Sequence, residues 1–242
     1  MSRLAAGDFA PPAGLRNPHV QSALRSLWPS RTLASRRARA LLESQQAWIM
    51  EAGNGVRLQG FYNRAQASSR GLAVLLHGWE GSSQSSYMLS TGARLLAEGY
   101  DVFRLNFRDH GDSHALNRGV FHSCRLDEVL GALGDMQGRT GCDEWQIAGF
   151  SLGGNFALRV ALRGPEAGLG VRNCVAICPV LDPEHVLKCM ETGPTFYERY
   201  YNRTYTKDQY EKKVDWLSRQ LRRMNADIVG FQEVFHNAAL QE

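Results

Sequence analysis

The chain has 242 residues, of which 43% are hydrophobic and 21% are charged, and its formal net charge is +4. This composition excludes a chain that is disordered over most of its length, and no apolar run reaches the roughly eighteen residues of a membrane span. The five cysteines have neither metal-ligand nor disulfide-framework spacing, which favours a reducing compartment. We therefore predict a cytoplasmic protein without a transmembrane segment and expect no nucleic-acid partner.

Residues 1–45 are predicted as a basic N-terminal arm. No acidic residue lies between Asp8 and Glu43. The same interval holds Arg16, Arg25, Arg31, Arg36, Arg37 and Arg39. Such a segment can seek anions, carry a targeting signal or form a solvated surface strip. We adopt the solvated strip, because most charge runs are solvated.

Apolar periodicity predicts alternating strands and helices from residue 46 onward. Asn54-Gly55 suits a tight hairpin turn, so the flanking residues 46–53 and 56–64 are predicted as antiparallel strands. Buried strands are predicted at 71–78, 100–108, 145–150 and 174–181, and helices at 91–99, 125–136 and 155–163. This alternation predicts an α/β fold, a mostly parallel sheet with helices on both faces and an antiparallel start.

The stretch AGFSLGG lies between the predicted strand 145–150 and the helix that follows it. Gly149 and Gly153 flank Ser151 in a G-x-S-x-G pattern, whose small residues allow the sharp turn that exposes a serine hydroxyl. The following helix directs its first N–H groups at the same point. We interpret Ser151 as a nucleophile and the backbone N–H of Leu152 as an oxyanion donor. A glycine-rich turn without chemistry is the alternative.

Two further polar turns follow predicted strands. In the stretch HGWEGS, which begins at His77, we interpret the backbone N–H of Trp79 as the second oxyanion donor. His77 is interpreted as structural, the alternative being a catalytic base. The turn RDHGDS is interpreted as held by local side-chain hydrogen bonds, and the alternative is a catalytic pair of Asp109 and His110. Chain order favours both structural interpretations, because the base of such a site follows the serine.

The stretches HGWEGSS, RDHGDS and GFSLGG, in this order and spacing, resemble the motifs of the α/β-hydrolase superfamily. RNPHVQSALRSLWPSR, near the start, is similar to the N-terminal signature of its YheT-like branch. The resemblance covers about residues 14–200 and implies a hydrolase core at residues 46–200. It also implies serine-dependent hydrolysis of carboxylic esters, including short acyl and lipid esters, with no metal and no organic cofactor.

The base and the acid of such a site are not identifiable in the sequence. Only His185 and His236 follow Ser151 among the histidines. His185 comes too soon after the strand 174–181, and a pair of Glu233 and His236 leaves too few residues between an acid loop and a base loop. We therefore expect a hydrolase sheet that is truncated at its C-terminal side, with weak or no turnover.

Residues 201–242 are predicted as a helix followed by a strand. Thr206 and Gln209 form a capping box, and the apolar stripe of a helix follows them. The stretch WLSRQLRRMNADIVGFQEVF resembles the first helix and strand of the endonuclease/exonuclease/phosphatase superfamily, which implies Glu233 as a ligand of a divalent metal. The rest of that fold is missing from the sequence, so we predict no metal site.

Three hypotheses for the function follow. The first is a serine hydrolase whose partner is a small-molecule ester or a lipid. The second is a non-catalytic binding protein of α/β-hydrolase type, or a truncated or fused product joined near residues 199–206. The third, which the sequence supports least, is a metal-dependent phosphoesterase. The oligomeric state does not follow from the sequence.

Overall fold

The computed structural model describes residues 12–17, 20, 28–66 and 68–182. The described strands are β1 (Gln46–Glu51), β2 (Arg57–Asn63), β3 (Leu72–Leu76), β4 (Asp101–Leu105), β5 (Trp145–Phe150) and β6 (Val171–Ile177). The described α-helices are α1 (Trp28–Arg37), α2 (Arg39–Ser44), α3 (Ser86–Ala97), α4 (Leu126–Thr140) and α5 (Leu152–Arg163). Short 3-10 turns occupy Ala13–Leu15, His114–Leu116 and Pro165–Ala167.

The strands form one mixed sheet in the order β1-β2-β4-β3-β5-β6. β1 pairs antiparallel with β2, and β2 pairs antiparallel with β4, whereas the other neighbours are parallel. Asn54 and Gly55 both have positive φ, at 51° and 73°, as a tight hairpin turn between right-twisted strands requires. The predicted antiparallel start and mostly parallel sheet are confirmed.

Helices cover the two faces of the sheet, which confirms the predicted layering. α4 and α5 contribute to the larger core, where Phe103 and Trp145 are among the buried side chains. α2 and α3 contribute to the smaller core on the opposite face, with Leu41 and Met88. All five residues of β3 are buried because this central strand has a helix layer above and below it.

The element boundaries that differ from the sequence prediction include the starts of two helices and the end of one strand. α3 begins at Ser86, five residues before the predicted start, so its first turn includes the buried residues Met88 and Leu89, which the prediction left out. α5 begins at Leu152, immediately after Ser151, because Gly153 and Gly154 lack the helix propensity on which the prediction relied. β6 ends at Ile177 rather than at residue 181, just before Cys178 and Pro179, the latter unable to donate a ladder hydrogen bond.

The described part of the basic arm packs on the smaller core. Ala38 and Leu41 are fully buried there, against Met88 and Leu89 of α3. Four arginines of this part, Arg16, Arg36, Arg37 and Arg39, are exposed. The interpretation of a solvated strip therefore does not hold for the apolar side of α2, and for the arm as a whole it stays a prediction. Among the described residues, no helix is both long and apolar enough to cross a membrane.

Several predictions concern residues outside the described part of the chain. They include His185, the capping box of Thr206 and Gln209, and the pair Glu233 and His236. The truncated sheet, the fusion near residues 199–206 and the helix and strand of residues 201–242 also remain predictions.

Candidate functional site

The order of the strands creates a crevice where the loops after β3 and β5 meet. From β3 the chain crosses to β4 on one side, and from β4 it returns to β5 on the other side of β3. Leu76 at the end of β3 is in register with Gly149 of β5. In open parallel sheets ligands bind at such a reversal, beyond the carboxyl ends of the strands. The sheet thus brings the HGWEGS loop beside Ser151.

Ser151 occupies the sharp turn between β5 and α5. Its backbone has φ 53° and ψ −116°, a conformation that costs a non-glycine residue about 1–3 kcal/mol. Serine is a favourable helix N-cap, yet its side chain makes no capping hydrogen bond here. The residue is exposed. The turn therefore presents the serine at the edge of the sheet instead of using its hydroxyl to cap the helix.

The backbone of Ser151 is held from three directions. Its N–H donates to the carbonyl of Ile177 at 2.9 Å. Its own carbonyl accepts from the N–H groups of Asn155, at 3.1 Å, and Val180, at 3.3 Å. These bonds tie the turn to the first helical turn and to the segment after β6, and they offset part of the strain in the serine backbone.

The two glycines of the G-x-S-x-G pattern are required by close backbone approach. A Cβ atom at Gly149 would collide with the backbone of Gly153. A Cβ atom at Gly153 would collide with the backbone carbonyls of Leu76 and His77 at the end of β3. The turn can reach its position against β3 only because both residues lack a side chain.

The loop after β3 touches the serine turn at Gly78. A Cβ atom built on Gly78 would lie 3.3 Å from the Cβ atom of Ser151. The N–H of Gly78 donates to the hydroxyl of Tyr87 at 3.0 Å, so this amide is used inside the loop. Trp79 follows Gly78 directly and packs against the larger core, and Leu152, which follows Ser151, is buried. Trp79 and Leu152 are therefore neighbours in sequence of Gly78 and Ser151, the two residues that approach each other here.

His77 is a buried residue at the end of β3, as its structural interpretation expects. Its Nε2 accepts from the N–H of Phe107 at 3.1 Å, which assigns the proton to Nδ1, and Nδ1–H donates to the carbonyl of Gly78 at 2.7 Å. Burial, together with the charge of nearby His110, lowers the pKa of His77 to about 3. With both ring nitrogens engaged and the proton affinity low, His77 is not suited to act as a general base.

The turn after β4 uses its polar side chains internally, as predicted. His110 Nδ1–H donates to the carbonyl of Arg108 at 2.8 Å, and Ser113 Oγ donates to the carbonyl of His110 at 2.7 Å. His114 Nδ1 lies 2.6 Å from Asp109 Oδ1. Burial lowers the pKa of His110, although its bond to the carbonyl opposes this shift. The geometry supports a structural turn and not a catalytic pair.

Three residues that hold the loop after β3 were not predicted from the sequence. Tyr87 binds its first amide, and Arg104 and Asn106 bind the backbone of Ser83 farther along. Arg104 is fully buried, and burial lowers the pKa of its guanidinium to about 10. A charged residue inside the apolar run of β4 was the signal that could have revealed this role.

Comparison with known proteins agrees with the architecture. The family model described as the alpha/beta hydrolase fold matches residues 73–228, more than half of the chain. The chain belongs to this family.

One curated relative is "Uncharacterized protein RP471" of Rickettsia prowazekii (strain Madrid E). It is 28% identical over 133 residues, which are 53% of this chain and 53% of the relative. The chain therefore spans about half the length of the curated relative that it matches.

Similar solved structures include the esterase Pf2001 of Pyrococcus furiosus, with a TM-score of 0.54 and 20% identity over 65% of this chain and 60% of the esterase. Est1E of Butyrivibrio proteoclasticus, solved with ferulic acid bound, has a TM-score of 0.50 and 16% identity over 59% of this chain and 56% of Est1E. At these identities the likeness establishes the fold alone.

Proposed function

We propose that this chain is a serine hydrolase of carboxylic esters in which Ser151 is the nucleophile. One observation carries the proposal: Ser151 has a strained backbone at a strand-to-helix turn, is exposed, and leaves its helix without a side-chain cap. A serine that served only to start the helix would take the favourable capping geometry. Strain that is kept beside a crevice is typical of a functional site.

Acyl transfer at such a serine needs donors for the oxygen that becomes negatively charged. The backbone N–H groups of Leu152 and Trp79 are the proposed donors. Leu152 is the first residue of α5, where N–H groups point out of the helix and carry its positive dipole end. The contact of Gly78 with Ser151 supports Trp79, the next residue along the same loop.

The serine hydroxyl must also lose its proton to a base as it attacks the ester carbonyl. His77 is not suited to accept that proton, because both of its ring nitrogens are engaged in hydrogen bonds. The order serine, acid, histidine that the α/β-hydrolase pattern implies would take the base from residues after 182, where His185 and His236 lie. We assign neither, and propose slow turnover with acylation that is easier to detect than hydrolysis.

Carboxylic esters of short acyl chains and of lipids are the proposed substrates. One similar structure is that of an esterase and another was solved with ferulic acid bound, so acyl esters are the first compounds to test. The chain spans only part of these proteins, so the activity of a whole enzyme is part of the proposal.

The test is labelling of the purified full chain with a fluorophosphonate, which reacts with activated serines. We expect labelling of the wild-type protein that is lost in Ser151→Ala. Ser90→Ala is the matched control, because Ser90 is an exposed serine of α3 whose hydroxyl only donates to the carbonyl of Ser86 at 2.7 Å. Folded wild-type protein that stays unlabelled would contradict the proposal and favour a non-catalytic binding protein.

A further inference from the structure

The loop between β3 and α3 is anchored at both ends by side chains. At its start, Tyr87 accepts the N–H of Gly78, and the Tyr87 ring packs 4.8 Å from the ring of Phe150, the residue before Ser151. At its far end, Ser83 is fully buried. Residues 78–83 therefore run between one anchor beside the nucleophile and another inside the protein.

The far anchor holds both backbone groups of one residue. Arg104 Nη1 donates to the carbonyl of Ser83 at 2.7 Å, and Asn106 Oδ1 accepts the N–H of Ser83 at 2.6 Å. The two side chains are themselves fixed: Arg104 Nη2 donates to Gln45 Oε1 at 2.7 Å, and Asn106 Nδ2 donates to Gln59 Oε1 at 2.8 Å. Ser83 thus has little freedom to move relative to β4.

This anchor carries a cost that packing alone does not explain. Arg104 is fully buried, and within the described part of the chain no carboxylate forms an ion pair with it. Its Nε and the hydroxyl of Ser83 have no hydrogen-bond partner among the described residues. A methionine of similar length would avoid the desolvation of the charge, and replacing buried charges by apolar side chains is often neutral or stabilising. A charge kept at such a cost points to a task beyond stability.

We propose that Arg104 and Asn106 are positioning residues, which clamp the loop of residues 78–85 so that the backbone N–H of Trp79 is held at the nucleophile. This inference rests on the proposed function of Ser151. The clamp acts through the loop backbone and touches no substrate. Its physical effect is preorganisation: an oxyanion donor stabilises the developing charge best when it need not be reoriented during the reaction.

The test compares fluorophosphonate labelling kinetics of the full chain with Arg104→Met, Arg104→Lys and Asn63→Ala. Asn63 is the matched control, because it is also fully buried with one unpaired polar atom, but its Nδ2 donates to Leu41 and Ser44 of α2 and not to the loop. We expect Arg104→Met to reduce the maximal labelling rate at least tenfold while the affinity for the probe stays the same. Arg104→Lys, which can still donate to Ser83, should restore part of that rate.

Amide hydrogen exchange supplies a readout that does not depend on chemistry. We expect faster exchange across residues 78–85 in Arg104→Met and wild-type protection there in Asn63→Ala. Folded Arg104→Met that labels at the wild-type rate would overturn the clamp, and so would an equal loss of labelling in Asn63→Ala at matched thermal stability. If the wild-type protein is not labelled, the proposed function fails separately, and unchanged exchange in Arg104→Met would then reject the clamp as well.

Discussion

Two turns at the carboxyl ends of strands share a non-glycine residue with positive φ and differ in what their polar side chains do. The turn after β4 has Asp109 at φ 61°, and the turn after β5 has Ser151 at φ 53°. In the first turn the neighbouring polar side chains hydrogen-bond to one another and to the local backbone, and His110 is buried. In the second the backbone is bonded on both sides, whereas the serine is exposed and does not cap its helix.

The comparison shows that backbone strain alone does not identify a nucleophile. Strain at Asp109 is offset by hydrogen bonds that involve Ser113 and His114. These bonds use the polar groups of the turn within the turn itself. Strain at Ser151 is combined with exposure at a crevice and with two glycines that bring the turn against β3. The difference lies in what the polar side chains do.

The largest effect is expected from Gly153→Ala, which breaks the serine turn. The new Cβ atom would meet the backbone carbonyls of Leu76 and His77, which cannot move without disturbing the central strand. We expect a loss of more than about 3 kcal/mol in the free energy of unfolding, measured by urea denaturation.

Gly138→Ala is the control for this substitution. Gly138 is an exposed residue of α4, and a Cβ atom there would meet nothing within 4 Å. Alanine should stabilise the helix at this position by about 0.5–1 kcal/mol. Equal stabilities of the two variants would show that the close approach at Gly153 is not needed.

A smaller effect is expected from Glu128→Gln, which loosens the turn after β4. Arg108 donates to both carboxylate oxygens of Glu128, at 2.9 and 2.7 Å, and Arg125 donates to one of them at 2.7 Å. The variant leaves a buried guanidinium without its counter-charge, so we expect a loss of roughly 2–3 kcal/mol by urea denaturation. Labelling of Ser151 per folded molecule should not change, because the ion pair supports the other turn.

The stability that the ion pair of Glu128 contributes should depend on pH. Burial raises the pKa of Glu128, but hydrogen bonds and charges from Arg108 and Arg125 outweigh it and hold the pKa below its usual range. The ion pair therefore stabilises the fold above the unfolded pKa, and its contribution is lost as the pH falls through the folded value. Glu166→Gln removes an exposed pair at 3.4 Å and should cost almost nothing. A similar loss of stability in the two variants would contradict the prediction that the buried ion pair contributes more than the exposed one.

The fold was predictable because its signals are local and repeated. The apolar runs of β3, β4 and β5 mark strands buried on both faces, and Asn54-Gly55 marks the hairpin. The start of α5 was missed because its glycine-rich first turn has low helix propensity. The packing of α2 was missed because this helix has only six residues, which are too few to show an apolar period.

The site was predictable in part. The glycines around Ser151 are required by close backbone approach, so their spacing could be recognised in the sequence. The contacts of Ser83 with Arg104 and Asn106 join residues more than twenty positions apart, and nothing in the local pattern links them. Long-range hydrogen bonds of this kind depend on the register of β4, which a single sequence does not give.

The smallest effect is expected where the two turns meet, at His77. Its ring lies 4.9 Å from that of His110 in the first turn, and its backbone carbonyl faces Gly153 in the second. The folded protein binds a proton at His77 only near its pKa of about 3, whereas the unfolded chain does so near pH 6.5. Stability should therefore fall as the pH drops from 6.5 towards 3, by up to about 1.4 kcal/mol per pH unit, and the contribution should vanish above pH 6.5. His77→Gln keeps a donor and an acceptor and removes the titration, so its loss of stability between pH 7.5 and pH 5 should be smaller than that of the wild type by about 2 kcal/mol. Urea denaturation at the two pH values measures this difference. Equal losses of stability in the two proteins would mean that burial does not lower the pKa of His77 in the folded protein.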